Sequence, residues 1–254
     1  MADLIEGLFY DELDSTMDEA SRIISLSGNL KEAYFIQTRV QSKARGRRGR
    51  QWRSLAGNFQ TSYCLPLFPE DPPITTLPFI CGLAVFDIIK TYVRSDDALS
   101  MKWPNDILIY GKKAGGLLIE KATGKQDNEW AILGIGLNTI CYPTDVSNEA
   151  ASILEYSGQL IRSEVLAVKI QKSLRRRLDS WRKGDVKGQL DEWILHAHHL
   201  NKRVRVVKEN NEGSSTLEGC FEGIDLNGAL LLKRDDGECE KLTSADVYFN
   251  LRSI

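Results

Sequence analysis

A run of arginines and glycines holds the residue types best suited to chemistry on an anion. Residues 45–50 read Arg-Gly-Arg-Arg-Gly-Arg, and Trp52 follows two positions later. Arginine supplies a permanent positive charge and forked donors for phosphate or carboxylate, and glycine lets backbone N–H groups approach a ligand closely. This loop, followed by an aromatic ring, is typical of a nucleotide site. A solvated basic surface and a non-specific nucleic-acid patch are the alternatives.

Two lysines next to a glycine pair form a second candidate for charge chemistry. Residues 102–120 read KWPNDILIYGKKAGGLLIE, which predicts strands over 107–110 and 116–121 with a turn between them. Neighbouring strand residues point to opposite faces, so one of Lys112 and Lys113 can point inward toward a charged ligand while the other stays in solvent. A turn that carries two solvated lysines is the alternative.

An apolar strand interrupted by glycines is the third informative stretch. Residues 131–138 read AILGIGLN. Glycines inside a strand often mark the close approach of a ligand or of another backbone, here at Gly134 and Gly136. Asn138 ends the strand with a side-chain amide that can bond a ligand group.

The elements around the arginine loop are predicted to hold it in place. Ser15 followed by Asp18 is typical of a capped helix start, and simple capping is the alternative to a ligand-binding role for Ser15. Strands over 33–40 and 61–67 are predicted to lead into and out of the loop. A helix with one apolar face is predicted over 83–93.

Beyond Pro143 the pattern becomes helical. Ser163 is predicted to cap a helix whose apolar face ends at Trp181, with the arginine run 175–177 on its solvated side. A further helix is predicted over 186–197. Three histidines at its end are interpreted as structural, because a helix C-terminus favours positive charge: His196, His198 and His199.

The end of the chain changes to short alternating runs. Asn227-Gly228 and Asp236-Gly237 are strong hairpin signals between apolar segments. The last fifty residues or so therefore predict a small barrel or sheet of four to six strands.

Composition limits the function classes. Thirty-three Lys and Arg nearly balance 35 Asp and Glu, so the arginine loop is a local feature, which argues against a general nucleic-acid binder. Five scattered cysteines without CxxC spacing predict a reducing compartment, and we expect a cytoplasmic protein. No apolar run approaches the length that spans a membrane.

Together, the motifs resemble those of biotin–protein ligases. RGRRGRxW at 45–52, KWPND at 102–106 with KKAGG at 112–116, and GIGLN at 134–138 occur in the family's order, and the resemblance covers nearly the whole chain. It implies an α+β fold: a mixed β-sheet flanked by helices, related to class II synthetases, in residues 1–200. A small C-terminal SH3-like β-barrel is expected in 201–254.

Some members of this family carry an N-terminal DNA-binding domain and act as repressors. Here Ser15 and Thr16, which match a family motif, come almost at once. We therefore expect a short form without that domain and without a regulatory role.

The resemblance implies an ATP-dependent, AMP-forming ligase. Such an enzyme uses ATP with Mg²⁺ to convert biotin to biotinyl-5′-AMP and pyrophosphate. It then transfers biotin to one lysine of a biotin carboxyl carrier protein or domain of a biotin-dependent carboxylase. We expect no nucleic-acid or membrane partner; a homodimer and the identity of the carboxylase stay open.

Carried over residue by residue, the resemblance gives Lys113 and Arg47 as catalytic residues and no metal ligand. The positions matched to biotin binding are Ser15, Thr16, Met17, Gln41, Arg45, Gly46, Arg47, Lys113, Gly116, Gly134 and Gly136. The positions matched to ATP or adenylate binding are Arg47, Arg50, Trp52, Asn105, Lys113 and Asn138.

Three positions depart from the family pattern. Met17 stands where asparagine is usual, Ala44 replaces the first glycine of the loop, and Ala245 replaces a glycine near the C-terminus. Alanine fits at 44 only with ordinary backbone angles. The alternatives to a biotin ligase are a lipoate–protein ligase-like acyl-adenylate enzyme and a catalytically weak relative that binds nucleotide or nucleic acid.

Overall fold

The computed structural model describes residues 6–26, 32–93, 95, 98–144, 149–210, 213–243 and 245–248. Its N-terminal strands are β1 Glu6–Leu13, β2 Tyr34–Gln41, β3 Phe59–Pro66, β4 Leu99–Lys102, β5 Asp106–Ile109, β6 Lys112–Thr123 and β7 Glu129–Leu137. Within these described ranges the seven strands form one sheet in the order β1-β2-β3-β7-β6-β5-β4. β1 pairs with β2 in parallel and the other pairs are antiparallel, so the sheet is mixed as predicted.

The centre of the sheet brings two of the motifs side by side. β7 lies between β3 and β6, and the apolar run that precedes Asn138 is buried there. A strand covered on both faces tolerates few polar side chains, which explains this composition. The register sets Gly136 opposite Gln60 on one side and Gly116 on the other.

Helices cover both faces of the sheet. They are α1 Thr16–Leu26, α2 Leu77–Ile89, α3 Ile153–Ser157, α4 Ser163–Arg182 and α5 Val186–Leu195. Successive strand residues alternate between faces. Thus Tyr34 and Ile36 pack with α1, while Phe35 belongs to the larger core with α2, α4 and α5. The predicted α+β fold with flanking helices is confirmed.

The helix predicted over 83–93 differs from its prediction. α2 begins earlier, at Leu77, and it is buried nearly all round. α4 and α5 cover the side that would otherwise meet solvent. The expectation of a single apolar face was therefore wrong, because helices from much later in the chain complete the burial.

The N-terminus of α4 also differs. Ser163 is the first helical residue rather than the cap, and the preceding Arg162 has extended backbone angles. The Ser163 hydroxyl donates instead to the Asn58 carbonyl, at 3.5 Å. The predicted apolar face is confirmed from Leu166 to Trp181.

Arg177 is not on the solvated side of α4 as predicted. Its guanidinium is 9% exposed and lies 2.7 Å from both Asp87 on α2 and Glu192 on α5. Arg176, by contrast, is 71% exposed. The turn of the helix separates these neighbours, and a pair of carboxylates from other helices makes the burial of Arg177 tolerable.

The C-terminal region forms an antiparallel sheet. Its strands are β8 Arg203–Asn210, β9 Gly213–Ile224, β10 Leu230–Lys233, β11 Cys239–Leu242 and β12 Asp246–Tyr248. Among the residues described here, these five strands have the order β11-β10-β9-β8-β12. Turns at Gly228 and Gly237, both with positive φ, connect the hairpins as predicted. This is the predicted SH3-like unit, and Trp103 Nε1 donates to the Gly228 carbonyl at 3.0 Å to join it to the first sheet.

None of the helices that the structure describes has the length and apolarity needed to cross a membrane. In that part of the chain no group of three or more His, Cys, Asp or Glu is arranged to hold a metal ion. The five cysteines are unpaired.

Candidate functional site

A cavity of about 310 Å³ lies between the arginine loop, the start of α1 and the ends of β6 and β7. Every residue predicted to bind a ligand lines it. These residues are Ser15, Thr16, Met17, Gln41, Arg45, Gly46, Arg47, Arg50, Trp52, Asn105, Lys113, Gly116, Gly134, Gly136 and Asn138. Ala245 and Val247 of the C-terminal sheet line it as well, so both sheets contribute to one site.

Lys113 lines this cavity between a carboxylate and an aromatic ring. Its Nζ is 2.8 Å from Asp106 Oδ1 and 5.6 Å from the centre of the Trp52 ring. Lys112, its neighbour, is not among the described residues that line the cavity. An ammonium held between a carboxylate and an aromatic face can exchange these contacts for a ligand anion.

The backbone of Lys113 is held on both sides. Its N–H donates to the Glu149 carbonyl at 2.9 Å, and its carbonyl accepts from the Ala151 N–H at 3.0 Å. Asn138 Nδ2 donates to the same carbonyl at 3.3 Å. β6 begins at Lys112, four residues earlier than the predicted 116, so Lys113 lies inside the strand. The backbone bonds fix the position from which its side chain extends.

Asn105 plays a comparable structural part. Its Nδ2 donates to the Leu117 carbonyl at 2.6 Å, and its own carbonyl accepts from the Leu117 N–H at 2.9 Å. Both asparagines predicted to contact nucleotide therefore also fasten β6 to its neighbours. The segment 102–106 and the lysine strand are thus positioned as one unit.

The two glycines of β7 make room for side chains of this protein. A Cβ atom on Gly134 would lie 2.6 Å from Met17 Sδ, and one on Gly136 would lie 2.7 Å from the Trp52 ring. Both distances are too short for real atoms. These glycines were predicted to mark the close approach of a ligand or of another backbone; the groups that approach them in this structure are the side chains of Met17 and Trp52.

The arginine loop is closed by its own backbone. The Gly46 N–H donates to the Arg50 carbonyl at 2.7 Å, and the Trp52 N–H donates to the Ala44 carbonyl at 3.0 Å. Positive φ values occur at Arg48 and Gly49, whereas Ala44 is not one of the described residues with positive φ. The alanine therefore keeps ordinary backbone angles, as its side chain requires.

Arg45 fastens the loop to the two elements beside it. Its guanidinium lies 2.5 Å from Asp18 on α1 and 2.8 Å from Glu120 on β6. Its Nη1 also donates to Ser15 Oγ at 3.3 Å. The hydrogen bonds that Arg45 donates to Glu120 raise the pKa of Arg45 above its ordinary value, so the group stays charged.

The far end of the cavity is polar. Gln41 Oε1 accepts from the Thr16 backbone N–H at 2.8 Å and from the Thr16 hydroxyl at 3.2 Å. Ser62 Oγ donates to the Thr16 hydroxyl at 2.8 Å. Ser15 Oγ accepts from the Asp18 N–H at 3.3 Å, so the predicted cap of α1 is present. Capping and cavity lining are therefore combined in Ser15.

Several residues of the site were missed by reasoning from the sequence. Asp106, Glu120 and Asp18 supply the carboxylates that hold Lys113 and Arg45, and Ser62 orients Thr16. Asp106 could have been found, because it ends the KWPND motif. Asp18 and Glu120 lie in stretches that the sequence pattern singled out, the capped start of α1 and residues 102–120, but only the fold shows that both pair with Arg45. Ser62 lies in a stretch without a distinctive pattern, and the packing of β3 against α1 brings it to Thr16.

Comparisons with known proteins agree on one family. Residues 12–138 match the family model of the Biotin/lipoate A/B protein ligase family, and residues 199–250 match the Biotin protein ligase C terminal domain. A Paracoccus denitrificans protein named Biotin--[acetyl-CoA-carboxylase] ligase is 28% identical over 93% of this chain and 97% of its own. The Bacillus subtilis protein named Bifunctional ligase/repressor BirA is 30% identical over 94% of this chain and 73% of its own.

Solved structures have the same fold. The biotin protein ligase from Aquifex aeolicus in complex with biotin and ATP superposes with a TM-score of 0.79, at 23% identity, over 96% of this chain and 99% of that one. The biotin protein ligase from Leishmania major in complex with biotinyl-5-AMP gives a TM-score of 0.65, at 25% identity, over 94% of this chain and 99% of that one.

Proposed function

Because the chain belongs to the Biotin/lipoate A/B protein ligase family, we propose that it is an ATP-dependent biotin–protein ligase. The observation that carries this proposal is the position of Lys113, which stands in one cavity with the arginine loop and the polar end formed by Thr16 and Gln41. A cation between a polar recognition end and a cationic loop suits the activation of a carboxylic acid by a nucleotide. The named relatives with biotin, ATP or biotinyl-5-AMP support the choice of substrates.

The first step joins biotin to the nucleotide. A carboxylate oxygen of biotin attacks the α-phosphorus of ATP, and the bond from this phosphorus to the leaving pyrophosphate breaks. Both reactants are negative, so positioning them and neutralising their charge supply most of the rate. Lys113 bridges the biotin carboxylate and the α-phosphate, and Arg47 holds the phosphate of the product biotinyl-5′-AMP.

The polar end of the cavity selects the acid. The ureido ring of biotin offers both N–H donors and a carbonyl acceptor, and Ser15, Thr16 and Gln41 bind it. Met17 and Gly134 contact the apolar part of the molecule, and Arg45 and Gly46 close the loop over it. Lipoate, the alternative acid, has a dithiolane ring without these hydrogen-bonding groups. It would leave the buried polar groups of the cavity unpaired, which is costly.

The nucleotide lies at the other end of the same cavity. Arg50, Trp52, Asn105 and Asn138 line it there. Mg²⁺ accompanies the triphosphate, and it is usually held by phosphate oxygens and one or two carboxylates. Asp106 contributes a carboxylate to the cavity and fits that requirement. When bound, the ion neutralises phosphate charge.

The second step transfers biotin to the amine of a lysine on a biotin carboxyl carrier domain, and AMP leaves. A second cavity of about 260 Å³ shares Arg47, Trp103 and Asn105 with the first. We assign it to the approach of the acceptor lysine.

Residues 1–200 form the catalytic domain and 201–254 the C-terminal domain in this proposal. A cytoplasmic location would keep the unpaired cysteines reduced.

Pyrophosphate release tests the proposal directly. The protein is incubated with ATP, Mg²⁺ and biotin, and then with lipoate in place of biotin. We expect pyrophosphate to be released with biotin and not with lipoate, and a carrier domain added afterwards to become labelled with biotin. Release with lipoate but not with biotin would transfer the assignment to a lipoate ligase. No pyrophosphate release with either acid would support the alternative of a catalytically weak relative.

A further inference from the structure

We propose that Gln60 is a positioning residue that fixes the direction of the hydrogen bonds offered to the ring of the substrate; this rests on the proposed function. Gln60 lies on β3 and is almost fully buried. It is not among the described residues that line the cavity, but it bonds Gln41, which does line it. Its influence on the substrate is therefore indirect.

Gln60, Gln41 and Thr16 are linked by a chain of hydrogen bonds, and the direction of the bonds at the Gln60 end cannot be reversed. Gln60 Nε2 donates to the carbonyl oxygens of Arg39, at 3.3 Å, and Leu55, at 3.4 Å. A backbone carbonyl can only accept a hydrogen bond. Turning the Gln60 amide round would set its oxygen against two other oxygens, so Oε1 must face the opposite way.

The polarity passes from Gln60 to Gln41. Gln60 Oε1 accepts from Gln41 Nε2 at 2.9 Å and also from the Ser54 hydroxyl. Ser54 Oγ in turn accepts from the Gln41 backbone N–H at 2.7 Å. The Gln41 amide nitrogen is thus directed toward Gln60, and the Gln41 amide oxygen toward Thr16.

The other end of the chain agrees with this direction. The backbone N–H of Thr16 can only donate, and it donates to Gln41 Oε1 at 2.8 Å. The Thr16 hydroxyl must also donate there, because an amide oxygen cannot donate, and it accepts from Ser62. Thr16 therefore has an oxygen lone pair left for the substrate, and Gln41 has its second N–H.

A substrate must consequently donate to Thr16 and accept from Gln41. A cyclic urea does both with one N–H and its carbonyl. Gln60 prepares this arrangement before the substrate binds, which lowers the cost of ordering the site. Because Lys113, and not Gln60, meets the reacting atoms, loss of Gln60 should weaken binding of biotin rather than slow the chemical step.

Kinetics of biotin-dependent pyrophosphate release test this inference. Gln60→Met removes the amide at similar volume. We expect the KM for biotin to rise about tenfold, the equivalent of one lost hydrogen bond. The KM for ATP and the kcat at saturating biotin should stay within about twofold of wild type. A loss of kcat with an unchanged KM for biotin would overturn the inference.

Gln37→Met is the matched control. Gln37 is buried on the neighbouring strand β2, and its amide bonds Thr61 and the Ser163 carbonyl instead of Gln41. Gln37→Met should leave the KM for biotin unchanged, and an equal rise of this KM in Gln37→Met and Gln60→Met would overturn the inference.

Ser54→Ala, at a half-buried position, should raise the KM for biotin less than Gln60→Met does, and it tests the inference if Gln60→Met does not fold. An unchanged KM for biotin in Ser54→Ala would contradict the inference. A wild-type protein inactive with biotin would overturn the proposed function itself.

Discussion

At the scale of single residues, the site depends on charges that hold one another. Asp106 pairs with Lys113, and Glu120 and Asp18 pair with Arg45. Each cation is thus kept in place by a carboxylate until an anionic ligand competes for it. Arg45 is bound on three sides by its own protein, which favours a structural part in closing the loop over the substrate.

The paired lysines give a sharp prediction at this scale. Lys113→Ala should lower the rate of adenylation about a hundredfold or more, because its charge acts mainly in the transition state. The affinity for biotin should change far less. Lys112→Ala, outside the cavity lining, should stay within about twofold of wild type. Single-turnover adenylation of the two variants, measured side by side, checks this; a crippled Lys112 variant would mean that the wrong lysine has been assigned.

At the scale of elements, the loop of residues 45–50 is held at its base by backbone bonds and at Arg45 by ion pairs. Its glycines and the repulsion among its arginines predict that the loop moves until an anion arrives. Biotin plus ATP should therefore slow tryptic cleavage within the loop severalfold. Cleavage after the exposed Arg162 serves as an internal control, and an equal rate in the loop with and without ligands would contradict the prediction.

Ion pairs of the buried Arg177 join α4 to α2 and α5. Burial would raise the pKa of Asp87, but hydrogen bonds from Arg177 and Ser173 hold the pKa of this carboxyl below its ordinary value. Arg177→Met should destabilise the fold by about 3 kcal/mol, since it leaves the half-buried Asp87 with only Ser173 and the exposed Arg176 as partners. Arg176→Ala, at an exposed position, should cost less than about 0.5 kcal/mol. Urea denaturation measures both, and similar midpoints for the two variants would refute the distinction.

At the scale of the whole molecule, the histidines that follow α5 lie in the segment that connects this helix to the C-terminal sheet. The His198 N–H donates to the Met101 carbonyl at 2.7 Å, and its Nδ1 lies 3.1 Å from Ser100 Oγ. Burial, with smaller effects of His199 and Lys102, lowers the pKa of His198 to about 4. The ring is therefore neutral where it meets Ser100 of β4.

This shift predicts a pH dependence of stability. The unfolded chain binds a proton at His198 near pH 6.5, whereas the folded protein does not until about pH 4. The free energy of unfolding should therefore fall as the pH drops from 6.5 to 4, by up to about 1.4 kcal/mol per pH unit for this group. His198→Gln should make that slope shallower in denaturation curves. An identical slope in wild type and variant would show that the group does not control it.

The sequence by itself determined the local chemistry of this protein. Arg47, Trp52 and Gly136 were singled out from residue type and spacing, and each lines the cavity. The same reasoning left Lys112 and Lys113 as alternatives, and the resemblance to the family selected Lys113. Periodicity likewise predicted the central strands and the apolar face of α4. Such inferences succeed because side-chain chemistry and strand alternation are properties of a short stretch of chain.

Only the tertiary structure decided what these groups touch. Arg45 meets Glu120, and Arg177 meets Asp87, across large separations in the chain. Gln60 reads as an ordinary strand residue, yet it sets the polarity of Gln41 through the carbonyls around it. A buried polar group must find its partners wherever the fold brings them, so its role depends on packing between distant segments that no local pattern records.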